Sequence, residues 1–315
     1  MITICIPSYR RIEKLKKYLK YYSDLDIEFI ILVGLSDEAH VFNKLVEYTD
    51  NLAIADQISI VHTPGKDVIE TLNHLLSIVD SAYAILNCDD DYLIPETLLK
   101  MNYFLDKNPQ YEGVNGKALL FNSHNSFFYK YKMRSLDKES ASDRLQDFSK
   151  DYFGILFSLF RIDSFKQIMN VPEIHSIPIR EEVYSSFFAS LVGRIGHIRK
   201  VFLVRSFGHD RREMGSEIDE YSANVLKNFI SDKIIELDNK NRAESNRVVD
   251  EALENYFEAL PSTIDISFQR IFRIILKILR KVSGSHNFQF RHLYSFQKTH
   301  SQINMVSSIL ETKHE

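Results

Sequence analysis

The chain has 315 residues, 44% of them hydrophobic and 26% charged, an ordinary balance for one large folded domain or two smaller ones. Its 39 basic and 43 acidic residues leave a net charge of −4, which speaks against nucleic acid as a partner. The only cysteines, Cys5 and Cys88, lack zinc-type spacing and lie in apolar contexts, as expected in a reducing compartment. The first residues, MITICIPSY, do not read as a secretory leader, and no apolar run reaches the roughly 18–20 residues that span a bilayer. The expected location is cytoplasmic.

The chain opens on an apolar strand at residues 2–6, broken by Pro7 and Ser8. Residues 10–22 predict an amphipathic helix with Ile12, Leu15, Tyr18 and Leu19 on one face. A second strand is expected at 27–33, a helix up to about Tyr48, a third strand at 57–62 and a turn at Pro64-Gly65. Asp67 is placed to cap a helix over 67–79, and residues 83–86 read as a fourth buried strand. Pro95 opens a helix over 96–105. Alternating elements with near-continuous apolar strands predict a mainly parallel sheet covered on both faces. Ligands bind such sheets beyond the carboxyl ends of the strands. Those ends carry residues 8–10, 36–38, 63–66 and 89–91, which should line one crevice.

From Glu112 the pattern changes. Strands are expected at 113–122 and 126–133, then a polar segment at 135–150 read as a helix or a loop. An aromatic-rich run at 152–160 precedes a short helix at 162–169, a loop at 171–178, a helix at 180–192 and a strand pair turning at Gly196. A long helical region at 218–260 carries a break near 238–241, and a further helix is expected at 268–282.

Asp89, Asp90 and Asp91 follow the fourth strand directly. Three adjacent carboxylates repel one another and are costly beside a buried strand unless a cation neutralises them. A hard divalent ion with oxygen ligands, magnesium or manganese, suits that role. An acidic turn that caps the next helix is the plain alternative.

Four pieces, in this order, resemble the family 2-like glycosyltransferases with a GT-A fold: TICIPSYRR, TPGKDVIETLNHLLSIVDSAYAILNCDDDYLIP, IREEVYSSFFASLVGRIGHI and VRSFGHD. The resemblance runs from residue 2 to about 212. It implies a GT-A, Rossmann-like domain over 1–212, with a nucleotide-binding half at 1–110 and an acceptor-binding half at 111–212. A helical C-terminal region would follow at 213–315. The implied activity is transfer of a sugar from a nucleotide-sugar donor, a UDP-sugar, to a hydroxyl of a glycan or lipid-linked acceptor. Inversion, a divalent metal (manganese or magnesium) and a role in surface polysaccharide or glycoconjugate synthesis belong to the same implication.

The resemblance also assigns residues. Pro7, Tyr9 and Arg10 fall where the family meets base and ribose, with Tyr9 able to stack and Arg10 or Arg11 able to meet phosphate. Asp37 or Glu38 would face the base, and Lys66 would lie beside the diphosphate. Asp89 and Asp90 would contact the nucleotide sugar, while Asp90, Asp91 and His209 would hold the metal. Cys88 stands where the usual Asp-x-Asp motif has its first acid, so the working carboxylates are not fixed by the motif. Glu182, or its neighbour Glu181, would be the base that takes the acceptor proton. Two acids opening a helix also complement its dipole. Arg205 would reach phosphate, and aromatics at 152–160 would line the acceptor side or pack the core.

In residues 268–282 (FQRIFRIILKILRKV), Arg270, Arg273, Lys277, Arg280 and Lys281 fall within an arc of roughly 100° on a helical projection. Such a helix suits peripheral contact with an anionic membrane, or packing in an interface, and homo-oligomerisation stays open. Two other readings are a nucleotidyltransferase, disfavoured because PSYRR lacks phosphate-loop glycines, and a catalytically silent binding module in a membrane-associated assembly.

Overall fold

The computed structural model describes residues 1–25, 27–122, 127–170, 181–207 and 220–259. The first 107 residues fold as their apolar pattern requires. In order come β1 (Ile2–Ser8), α1 (Ile12–Ser23), β2 (Phe29–Leu35), α2 (Ala39–Thr49), β3 (Ile58–His62), α3 (Val68–Ser77), β4 (Tyr83–Leu86), β5 (Tyr92–Leu93) and α4 (Pro95–Lys107). Local chemistry fixes the helix starts. Asp67 and Glu70 form a reciprocal capping box at α3, and Pro95 occupies the first turn of α4.

β1 pairs parallel with β2 and β4, and β2 pairs parallel with β3. Their polar carboxyl ends therefore share one edge. Gly34 near the end of β2 lets α3 close on the sheet, because a Cβ there would lie 2.3 Å from Thr71 Cγ2. Gly65 turns the chain after β3 with φ of 74°, a conformation that favours glycine.

The remaining elements are β6 (Tyr111–Asn122), β7 (Phe127–Tyr131), α5 (Ala141–Lys150), β8 (Leu159–Arg161), α6 (Ile162–Met169), α7 (Glu181–Val192), β9 (Arg194–Phe207), α8 (Glu220–Asp238) and α9 (Arg242–Ala259). The strand order is β3-β2-β1-β4-β8-β6-β9-β5, with β7 beside β6. β8, inside the aromatic run, pairs antiparallel with β4 and makes the sheet mixed. The strand pair expected around Gly196 is instead the single strand β9, parallel to β6 with register shifts opposite residues 111–118. Gly196 is no turn there. It makes room for Phe104, whose Cε1 would lie 2.3 Å from an added Cβ.

One continuous core joins the sheet to the later helices. It includes Ile4, Ile31, Leu72, Leu93, Val114, Phe148, Phe187, Phe202 and Val249. Within the aromatic run, Phe153, Phe157 and Phe160 are buried, so core packing accounts for them. Tyr256 of α9 packs 5.3 Å from both Tyr152 and Phe187. The expected break between the two long helices falls at residues 239–241. Among the described residues no helix is long and apolar enough to cross a membrane.

Candidate active site

The polar edge begins where β1 ends. Ser36 N donates to Ser8 O and Thr63 N to Leu35 O, so the ends of β1, β2 and β3 are laced together by backbone. Ser36 Oγ lies 3.1 Å from Thr63 Oγ1 and 3.0 Å from Thr71 Oγ1. Arg10 takes a left-handed conformation with φ of 56°, and its N–H donates to Asp37 Oδ2 at 2.9 Å. Of the two acids after β2, Asp37 is buried against this turn, while Glu38 is exposed and pairs with His40. Tyr9 is 46% exposed with the Arg10 guanidinium 4.8 Å from its ring centre. Pro7 pairs with Gly34 in the strand ladder, and Lys66 is exposed beyond Gly65.

The acidic turn is held from behind by α1. Asn87 N donates to Cys5 O, which continues the β1–β4 ladder. The Asn87 amide Nδ2 donates to Tyr18 Oη, to Cys88 O and to Asp91 O. Leu93 N donates to Tyr22 Oη, and the hydroxyls of Tyr21 and Tyr22 donate to Leu93 O. Tyr18, Tyr21 and Tyr22 are fully buried, so these bonds exclude water and fix the turn's backbone.

The three aspartates then take different partners. Ser8 Oγ donates to Asp89 Oδ2 at 2.6 Å, the short distance of a bond to an ionised acceptor. Arg11 Nη1 lies 3.2 Å from Asp89 Oδ1 and 3.1 Å from Asp90 Oδ2. Lys14 Nζ reaches the same Asp90 oxygen at 3.3 Å. Asp91 turns inward. Arg205 Nε donates to its Oδ2 at 2.8 Å and Ser206 N to its Oδ1 at 3.0 Å. The Arg205 guanidinium lies between Phe157 and Tyr131, 4.1 and 4.8 Å from their ring centres.

Burial pushes the Asp89 carboxyl above its ordinary range, and Ser8 and Arg11 pull the other way. Burial alone would lower Arg205, but the Asp91 charge overrides it and holds the guanidinium protonated. Burial likewise pushes the Cys88 thiol up, which leaves it neutral beside the three acids.

The metal pair expected at Asp90 and Asp91 is therefore not the pair the structure brings together. Asp89 Oδ1 and Asp90 Oδ2 converge on one cationic nitrogen, while Asp91 spends both oxygens inside the protein. Among the described residues no group of three or more His, Cys, Asp or Glu side chains is placed to hold a metal. A pair of carboxylates still fits manganese or magnesium, because ions such as Mg²⁺ take one or two carboxylates and complete their shell with phosphate and water.

Arg205 gives its Nε to Asp91 Oδ2. Glu181 and Glu182 open α7 as expected. His209 and the basic segment 268–282 lie outside the described residues. Sequence reasoning placed Ser8 in the crevice but gave it no role, and it missed Lys14 and the hydrogen bonds of the α1 tyrosines. The spacing of Arg11 and Lys14, one helical turn apart, was the available signal. A surface hollow lined by Lys20, Asp24, Tyr48 and Asn51 lies at the far end of α1 and belongs to no part of this constellation.

The fold is the mixed α/β arrangement of the GT-A class, shared with solved structures of S. aureus TarS. TarS residues 1–349 in complex with UDP-GlcNAc superpose with a TM-score of 0.60 at 17% identity, over 83% of this chain and 74% of that one. The same TarS segment in complex with UDP gives a TM-score of 0.56 at 15% identity, over 83% of this chain and 73% of that one. A longer TarS structure gives 0.55 at 14% identity, with 84% of this chain covering 46% of that one. No family model matches the sequence, and no curated protein matches it.

Proposed function

We propose that this chain is a glycosyltransferase that takes a sugar from a UDP-sugar donor and passes it, with inversion, to a hydroxyl of a glycan or lipid-linked acceptor. The observation that carries the reading is the convergence of Asp89 Oδ1 and Asp90 Oδ2 on one cation position at the end of β4. That position lies at the carboxyl ends of parallel strands, where such sheets bind ligands. The solved neighbours that share the fold were captured with UDP-GlcNAc and with UDP, which supports a uridine nucleotide as the donor's handle.

The residues divide the work as follows. Tyr9 offers a ring for stacking on the base, and Asp37, fixed by Arg10 N, offers a carboxylate beside it. Asp89 and Asp90 would hold manganese or magnesium. When bound there, that ion supplies Lewis-acid stabilisation to the diphosphate as it leaves. Arg11, Lys14 and Lys66 provide positive charge around the same edge. Glu182, with Glu181 beside it, is assigned as the base that removes the acceptor proton at the start of α7. The amphipathic basic segment 268–282 is assigned to peripheral contact with an anionic membrane, which vesicle sedimentation of a chain lacking it would test.

The first experiment is a thermal-shift series with UDP, GDP, ADP and UDP-GlcNAc, each with and without Mn²⁺. A ligand bound only by the folded state raises the melting temperature. The reading expects the uridine ligands with Mn²⁺ to give the largest rise. Equal, null shifts for every nucleotide would overturn it.

A further inference from the structure

Each of the three aspartates is already paired with a basic side chain of the same chain, and the pairings are of two kinds. Asp91, 2% exposed, gives both carboxylate oxygens to protein donors, Arg205 Nε and Ser206 N, and Arg205 itself is 24% exposed. Arg11 and Lys14 are 36% and 30% exposed; Arg11 meets the buried Asp89 and the partly exposed Asp90 at 3.2 and 3.1 Å, and Lys14 meets Asp90 at 3.3 Å. Arg11 is the residue that precedes α1 and Lys14 lies in its first turn, just after the strand end that faces the proposed nucleotide position.

We propose that Arg11 and Lys14 are resident counter-ions that exchange partners when donor binds, moving from the carboxylates to the diphosphate. The inference rests on the donor reading given above. Without ligand, the two carboxylates and the two cations sum to zero charge. A nucleotide-sugar diphosphate carries two negative charges and its divalent ion two positive ones, so the loaded site is neutral again. Either component alone leaves about two uncompensated charges in a partly buried place, which is costly. Hard divalent ions prefer carboxylate oxygens, and guanidinium and ammonium groups pair well with phosphate. The exchange therefore lets each charge keep a partner throughout. It also makes Arg11 and Lys14 competitors of the ion but allies of the nucleotide. Metal and nucleotide should bind with positive coupling, and these two side chains should set its size.

Isothermal titration tests this, using Mn²⁺ alone, UDP alone and UDP in saturating Mn²⁺. The proteins are the wild type, the Arg11→Gln/Lys14→Gln double variant and the charge-conserving Arg11→Lys. With its resident cations gone, the double variant should bind Mn²⁺ alone about tenfold more tightly, and UDP with Mn²⁺ about tenfold more weakly. Arg11→Lys should stay near the wild type in both. Circular dichroism and the melting temperature check that the fold is kept, as expected for two partly exposed side chains. An unchanged or weaker Mn²⁺ affinity in the folded double variant would overturn the exchange. So would Mn²⁺ binding to none of the three proteins while UDP still binds, an outcome that leaves the donor reading standing. UDP binding to none of the proteins would remove the donor reading and the exchange together.

Discussion

Asp89–Asp90 and Asp91 are neighbours in sequence but do opposite things. Asp91 is buried, ion-paired to Arg205 and bonded to Ser206 N, and it ties the acidic turn to β9 across the sheet. Asp89 is also buried and accepts from Ser8 Oγ, but it shares Arg11 with the partly exposed Asp90, which Lys14 also reaches. One side of the turn is built into the fold, and the other is the side the proposed function assigns to ligand. Carboxylates in a row need not form one site, because the backbone turn sends adjacent side chains in different directions. What distinguishes them is the partner each one meets.

The largest effect that would sharpen this contrast is on the buried side. Arg205→Met takes the ion-pair partner from the buried Asp91 carboxyl, which must then stay charged without it or take up a proton, and should cost about 3–5 kcal/mol in urea denaturation. A loss under about 1 kcal/mol would mean that the pair is not holding the turn. Behind the turn, Tyr18→Phe removes one of three acceptors of the Asn87 amide and should cost about 1 kcal/mol. Because Asn87 supports the backbone under all three acids, this change should also weaken nucleotide binding. A variant that loses stability but binds UDP with Mn²⁺ normally would separate the two sides of the turn more than the structure does.

A smaller effect serves as a control far from the turn. Asp238 accepts from Ala141 N and Ser142 N and so caps α5 from the end of α8. Burial acts to raise its carboxyl, but the Ser142 and Ala141 bonds outweigh it, and the group sits below the ordinary range. A depressed carboxyl contributes stability above its unfolded value and loses it as pH falls through the folded one. Asp238→Ala should cost about 1 kcal/mol at neutral pH. The gap between variant and wild type should close on acidification below the ordinary carboxylate range, with nucleotide binding untouched. A gap that stays constant with pH would remove the cap from the account.

The nucleotide-side strands and helices were legible because local signals and tertiary packing agree there. The Asp67 cap, the Pro95 start and the apolar runs of β1 to β4 each point to what forms. The second half was less legible, because its decisive interactions are long-range. Gly196 reads as a turn but serves Phe104, and β8 hides in a run of aromatics that gives no period. Arg144 lies in a polar stretch yet is buried, donating to Ser190 O and Leu191 O at the end of α7. The position of the acidic site was readable from DDD before Pro95. The division of labour within it was not, because nothing local to residues 89–91 announces Arg205 or Lys14.

The contrast is tested most directly by removing the partly exposed carboxylate of Asp90 alone. Asp90→Asn should change stability by no more than about 0.5 kcal/mol, since it alters a partly exposed ion pair. Isothermal titration of UDP into this variant with Mn²⁺ should show the metal-dependent part of the affinity gone, with wild-type melting behaviour. UDP affinity that stays as high as the wild type's, and as dependent on Mn²⁺, would contradict the assignment of Asp89 and Asp90 as the ligand-facing pair.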